Sequence, residues 1–212
     1  MLQLKGRLGR GREHLLQGRI YPYLKRGADV SLSLLLLLAA APLFLFAAFG
    51  IRVTSRGPIL FRQVRVGRRL EPFLLYKFRT MSTCAPHDLA TAAFRDPERY
   101  VTRFGHFLRK TSLDELPQLF NVLRGEMSLL GPRPLVLTEV ELIASRAARG
   151  VYTVRPGISG LAQIAGRDDL DDRQKLRLDI EYVRHLSFFS DFLLFFSTML
   201  AVLTRRGVRE RI

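Results

Sequence analysis

Cysteine, lysine and acid are all scarce in this chain of 212 residues. The one cysteine, Cys84, excludes an internal disulfide and fits a reducing compartment. Its neighbour His87 has a ligand-like spacing, but no partner pair accompanies the two, which argues against a metal centre there. The other histidines, His14, His106 and His185, are dispersed and read as surface or core residues. No internal repeat or low-complexity tract is present. Aspartate and glutamate number 19 against 34 basic residues, a formal charge of +15. Only Lys5, Lys25, Lys77, Lys110 and Lys175 among those bases are lysine.

What remains is arginine, which grips phosphate bidentately and stays charged when partly buried. A pI near 11.0 suits nucleic acid, an anionic membrane face or a phosphorylated substrate. The length suits one domain with a real core. Charge alone does not choose among these partners; the placing of apolar residues does.

Charge is absent from Val30 to Ile51, 22 residues that include a run of five leucines. As a straight helix this is about 33 Å, enough for a hydrocarbon core of roughly 30 Å. A secretory signal ending at Ala39–Ala41 is disfavoured, because the apolar run continues to Phe49 and a mostly polar stretch precedes it. Basic flanks also speak against simple crossing. Lys25 and Arg26 stand before the run and Arg52 and Arg56 after it, and such flanks tend to stay on the cytoplasmic side. Pro42 supplies a break near the middle, at a cost of about 3 kcal/mol in a regular helix. The expectation is a re-entrant helix-break-helix, with a kinked spanning helix as the alternative. A second apolar stretch, Leu186 to Leu203, contains Asp191 and is followed by Arg205 and Arg206. It reads as an interfacial amphipathic helix or as a core helix of the domain.

The remainder predicts an α+β domain. Ile59 to Val66 and Pro72 to Phe78 read as strands joined around Gly67. Cys84 to Arg99 reads as a surface loop. Helices are expected over Arg103 to Lys110, on to about Leu123 with Gly125 closing, and over Thr138 to Ala148 and Gln174 to His185. Arg155-Pro156-Gly157 and Gly160 mark turns. The expected divisions are a basic tail (1–20), a re-entrant segment (21–52) and a catalytic domain (53–212) with an interfacial C-terminal helix.

In so basic a chain, the adjacent acids Asp114 and Glu115 stand out. Ser112-Leu113-Asp114-Glu115 matches a capping box, which needs no catalysis, whereas Pro117 favours a helix that starts with proline in its first position. Either start puts both carboxylates beside a helix N-terminus, where the dipole favours the ionised form that a nucleophile or hard-metal ligand requires. Arg109 precedes them. Arg133 follows in a stiff Gly131-Pro132-Arg133-Pro134 turn, Lys77 and Arg79 close the second strand, and Arg155 also sits beside proline. Arginines fixed on rigid turns suit a preorganised phosphate clamp. A second acid group, Asp168, Asp169, Asp171 and Asp172, reads as a solvated loop or helix start rather than a metal site.

At this point the chain resembles the bacterial sugar transferases, specifically the small monotopic phosphoglycosyl transferases. The motifs carrying the resemblance are Lys25-Arg26-Gly27-Ala28-Asp29, Tyr76-Lys77-Phe78-Arg79-Thr80-Met81, Ser112-Leu113-Asp114-Glu115-Leu116, Leu119-Phe120-Asn121-Val122-Leu123, the Gly131–Pro134 turn and Arg155-Pro156-Gly157-Ile158-Ser159-Gly160. They run in order from about Tyr23 to Val208. The resemblance implies Mg2+-dependent transfer of a sugar phosphate from a UDP-sugar to polyprenyl phosphate, at the cytoplasmic face of the inner membrane. Asp114 would be the nucleophile, with Glu115 assisting it and both near the metal. Lys77, Arg79, Arg109, Arg133, Arg155, Gln163 and Arg167 would contact phosphate or nucleotide. Anionic lipids are the further partner and nucleic acid is not; a homodimer stays compatible.

Two departures matter. The family often has serine before the membrane proline, where this chain has Ala41, so either Ser31, Ser33 or close packing compensates or the kink is weaker. Larger relatives carry extra N-terminal spans, so the chain looks like a minimal catalytic form. Two rival readings remain: a membrane-tethered basic binding protein, and a hydrolase that passes the same aspartyl ester to water.

Overall fold

The computed structural model describes residues 2–85, 97–166 and 170–203, with side chains over 20–85, 98–166 and 170–201. Helix α1 (Leu2–Ala39) is followed at once by α2 (Ala41–Thr54), and the apolar parts of the two are bent by 61°. The bend falls at Ala40, and Pro42 sits in the first turn of α2, where its missing N–H costs nothing. The break therefore forms without a hydroxyl beside the proline. Ser33 does not compensate: it is fully buried and its hydroxyl has no partner among the described residues. No single described helix is long and apolar enough to cross a membrane; the bent pair passes that test only together.

Strands β1 (Leu60–Val66) and β2 (Pro72–Phe78) form the expected antiparallel hairpin, with Leu60 opposite Phe78 and Val66 opposite Pro72. Gln63 faces in while Arg62 and Val64 face out, as the alternation predicts. Helix α3 (Arg103–Lys110) is capped by the Thr102 hydroxyl, which accepts from the Gly105 N–H at 2.9 Å. After the acid pair comes α4 (Gln118–Arg124), closed by Gly125 in the left-handed conformation (φ 86°).

The sequence reading missed a second sheet. Strands β3 (Ser128–Leu130) and β4 (Gly157–Ser159) pair in parallel, where only turns were expected around Gly157. A Cβ on Gly157 would lie 2.1 Å from the Gly131 nitrogen, so glycine is what lets these backbones meet. Between them lies α5 (Val140–Ala148). After them come α6 (Leu161–Ala165), α7 (Asp172–Arg184) and α8 (Phe188–Leu203). Asp171 caps α7 in a full capping box with Gln174, which confirms the helix-start reading of that acid; Asp168 and Asp169 lie outside the described residues.

Helix α8 buries one apolar face in the domain, as the core-helix reading expects, and leaves another exposed. Leu194 is buried with Leu130 and Tyr182, whereas Phe188, Phe189, Phe192, Phe196 and Leu200 are exposed. Asp191 points inward to the Lys25 ammonium at 2.6 Å and the Tyr182 hydroxyl at 3.0 Å, and also accepts from Tyr21. Helix α1 is docked by the charges of its Lys25–Asp29 motif. Arg26 donates to the Val122 and Leu123 carbonyls at the end of α4 (2.6 and 3.0 Å), and Asp29 accepts from the Leu129 N–H at 3.1 Å.

Candidate active site

The acid pair does not form the capping box that its spacing allows. Ser112 adopts the left-handed conformation (φ 56°, ψ 15°) and its hydroxyl caps nothing. Such a backbone costs a serine about 1 kcal/mol or more, and it turns the chain sharply out of α3. Leu113–Glu115 then forms one 3₁₀ turn, and Pro117 stands one residue earlier than expected, as the N-cap of α4. The carboxylates thus lie between two helices rather than inside one. Leu113 and Leu116, on either side of them, pack into the cluster of Ala47, Ile51, Phe78 and Leu108. Ala47 and Ile51 belong to α2, Phe78 to β2 and Leu108 to α3, so the turn of the acids shares one apolar cluster with all three elements.

Glu115 receives the Lys77 ammonium at 2.9 Å from β2; the two side chains are 13% and 18% exposed. Asp114 is likewise engaged by neighbouring groups. Arg109 donates its Nε to the Thr80 hydroxyl at 3.0 Å, at the end of α3 that leads into Ser112. Lys77, Arg109, Asp114 and Glu115 are therefore gathered around one turn.

Arg79, which the resemblance puts on substrate phosphate, is buried and already has partners. Its terminal nitrogens donate to the Ser55 and Arg56 carbonyls (both 2.9 Å) and to the Ser55 hydroxyl at 2.7 Å. It closes the end of α2, where free carbonyls attract a cation. Burial, then nearby Arg52, pushes its pKa down. The Arg155 Nε donates to the Gly125 carbonyl at 2.7 Å, at the C-terminal end of α4. Burial first, then Arg26 and Arg68, lower its pKa, and an anion would relieve that crowd of like charge. Gln163 is buried next to Gly160 with both ends of its amide unpartnered among the described residues. Arg167 lies outside the described residues.

Arg133 is held by its backbone. The Pro132, Arg133 and Pro134 carbonyls accept from the Gly157 N–H (2.9 Å), Arg146 (2.7 Å) and Arg65 (3.1 Å) in turn. The Gly131 N–H donates to the Ser159 carbonyl at 2.8 Å. The Arg133 guanidinium has no partner among the described residues.

Among the described residues, no three of histidine, cysteine, aspartate and glutamate cluster as a metal cage. Two adjacent carboxylates still fit a hard cation such as Mg2+, which commonly takes one or two carboxylates and completes its shell with water and substrate phosphate.

The bacterial sugar transferase family profile matches residues 20–205. The chain belongs to this family. It is 40% identical over 201 residues to the UDP-N-acetylgalactosamine-undecaprenyl-phosphate N-acetylgalactosaminephosphotransferase of Aeromonas hydrophila, covering 92% of this chain and 47% of that protein. It is 42% identical over 184 residues to the UDP-glucose:undecaprenyl-phosphate glucose-1-phosphate transferase of Klebsiella pneumoniae, covering 82% of this chain and 39% of the relative. It is 39% identical over 197 residues to the exopolysaccharide production protein ExoY of Sinorhizobium fredii, where the coverage is 86% and 87%. The chain thus spans under half the length of the first two and most of the third.

Four charged residues that sequence reasoning did not place have structural partners. Arg26 and Asp29 belong to a motif quoted only for its resemblance, and their task is docking α1. Arg146 and Asp179 form an ion pair 2% exposed on each side, which no sequence motif announced.

Proposed function

We propose that this chain transfers a sugar phosphate from a UDP-sugar to polyprenyl phosphate, with Asp114 as nucleophile. The observation that carries the reading is the acid pair's place: Leu113 and Leu116 pack into an apolar cluster that α2 of the bent pair shares with β2 and α3. A site that must meet a lipid phosphate gains from that position, because a re-entrant pair would hold it at headgroup depth. The family and the named substrates of the relatives support the same reaction class.

An Asp114 carboxylate oxygen attacks the β-phosphorus of the UDP-sugar. The bond from that phosphorus to the bridging oxygen breaks, and UMP leaves with the electron pair. The lipid phosphate oxygen then attacks the same phosphorus and expels Asp114, giving polyprenyl-diphosphate-sugar. Two substrates thus use one small site in turn. Glu115, tied to Lys77, keeps the turn in place, and Lys77, Arg109 and Arg133 offset phosphate charge. Asp114 and Glu115 would hold Mg2+, which supplies charge neutralisation between carboxylate and phosphate. The exposed phenylalanines of α8 would lie at the membrane surface beside the bent pair.

The test is an assay with undecaprenyl phosphate, Mg2+ and a panel of UDP-glucose, UDP-galactose and UDP-N-acetylgalactosamine, following UMP and lipid-linked sugar. Intact-mass analysis should show a phosphosugar adduct on the wild-type chain and none on Asp114→Asn. Robust turnover by Asp114→Asn sinks the nucleophile. UMP release without lipid product favours a hydrolase, and salt-sensitive nucleic-acid binding without turnover favours a binding protein. Re-entry is tested in Cys84→Ser by labelling single cysteines near Gly18 and Gly57; labelling from opposite sides refutes it.

A further inference from the structure

The Gly131–Pro134 turn is clamped from outside the acid site, and one clamp is charged. Arg146, on α5, spends one terminal nitrogen on the Arg133 carbonyl at 2.7 Å and another on the Asp179 carboxylate of α7 at 2.5 Å. Both side chains of that ion pair are 2% exposed. A pair so deep is weak evidence of stability, because its Coulombic gain barely repays desolvation and an apolar pair of similar volume often does as well. It therefore needs another explanation, and the second nitrogen provides one. Pro132 and Pro134 flank Arg133 and carry no N–H, so the turn cannot brace itself through a local ladder. Its carbonyls are braced from elsewhere, by Gly157, Arg146 and Arg65. A charged donor on a carbonyl is roughly twice as strong as a neutral one. The Arg146 guanidinium sits there, away from water, opposite the Asp179 carboxylate.

We infer that Arg146 and Asp179 are positioning residues for the reaction: they hold the Arg133 backbone so that its guanidinium, which has no partner among the described residues, can serve the phosphates of the nucleotide sugar. The inference rests on the reading of Arg133 given above. Arg146 touches no substrate; it acts through the Arg133 carbonyl. Asp179 acts one step further back, by fixing the Arg146 fork. Arg146→Lys keeps the charge opposite Asp179 but cannot serve both partners with a planar fork.

The decisive measurement is a double-mutant cycle on the full chain, with the UDP-sugar of the panel that is turned over fastest. Asp179→Asn is expected to lower kcat/KM at least tenfold when Arg133 is present, and less than twofold in an Arg133→Ala background. A purely structural pair would cost the same factor in both, and that result overturns the inference. If Asp179→Asn does not fold, Arg146→Met combined with Asp179→Leu replaces the pair by apolar side chains and leaves the Arg133 carbonyl without its donor. Wild-type kcat/KM in that folded variant also overturns it. Full activity of Arg133→Ala alone is a separate outcome: it removes the phosphate role of Arg133 and so the reading beneath.

Discussion

Lys77 and Glu115 meet at 2.9 Å across the gap between the second strand and the turn before α4, each largely shielded from water. Hydrogen bonds to charged groups are worth about 1.5–3 kcal/mol when partly buried. Lys77→Met should therefore lower stability by about 1–2 kcal/mol and also reduce turnover, because Glu115 loses the contact that fixes its turn. Glu115→Gln keeps an acceptor for Lys77 and should cost less stability than Lys77→Met. Thermal unfolding of the purified chain in detergent, beside the transfer assay, checks both. A Lys77→Met variant as stable and active as wild type would show the pair to be incidental.

Ser112 separates two accounts of the same four residues. A capping serine replaced by alanine costs about 1 kcal/mol, but this hydroxyl caps nothing and the backbone is left-handed. Ser112→Ala should thus be nearly neutral, and Ser112→Gly neutral or stabilising by a few tenths of a kcal/mol. Ser112→Val should destabilise by more than 1 kcal/mol, since a β-branched side chain resists that conformation. Denaturant midpoints across the three variants give the order; a loss of about 1 kcal/mol in Ser112→Ala would restore the cap.

The same residue shows why part of the site was legible and part was not. Long periodic segments announced themselves: the β1–β2 hairpin, α3, α5, α7 and the break near Pro42 all fall within a few residues of expectation. The acid pair was legible by contrast with its basic surroundings. Its local geometry was not, because capping-box spacing and Pro117 conflict, and packing of Leu113 and Leu116 into the cluster shared by α2, β2 and α3 resolved them. Strands β3 and β4 are three residues each, too short to show a period. Arg79 and Arg133 look alike in sequence, each an arginine inside a motif that carries the family resemblance. Only the fold distinguishes a guanidinium closing α2 from one without a partner among the described residues. Arg146 and Asp179 read as ordinary helix-surface charges because their partnership depends on how α5 meets α7.

Gly105 offers a test of the α3 contact that carries Arg109. A Cβ there would lie 2.0 Å from the Thr80 carbonyl oxygen, a backbone atom with little room to move. Gly105→Ala gains helix propensity of about 1 kcal/mol but overpacks this contact, which typically costs about 1–3 kcal/mol. The net expectation is destabilisation and lower turnover, since α3 must lift away from Thr80, the residue that receives Arg109. Thermal unfolding and the transfer assay report it; a more stable, fully active Gly105→Ala would mean the helix shifts freely.

Asp179 predicts a pH dependence of stability with a definite sign. Burial pushes its carboxyl up from 3.8 to about 6, while Arg146 and then Lys175 pull it back. The raised value means the folded chain keeps a proton here that the unfolded chain releases near pH 4. The resulting stabilisation is present in full below the unfolded pKa and is lost as pH rises through about 6. A shift of this size is worth about 3 kcal/mol. In Asp179→Asn nothing titrates at this position, so subtracting its stability from that of the wild type isolates the residue. The wild-type advantage should shrink by up to about 3 kcal/mol between pH 4 and pH 8, with most of the change below pH 7. Denaturant unfolding at intervals across that range measures it. A wild-type advantage that stays flat or grows with pH would mean that Arg146 holds the carboxylate ionised, so that the Coulombic gain outweighs burial.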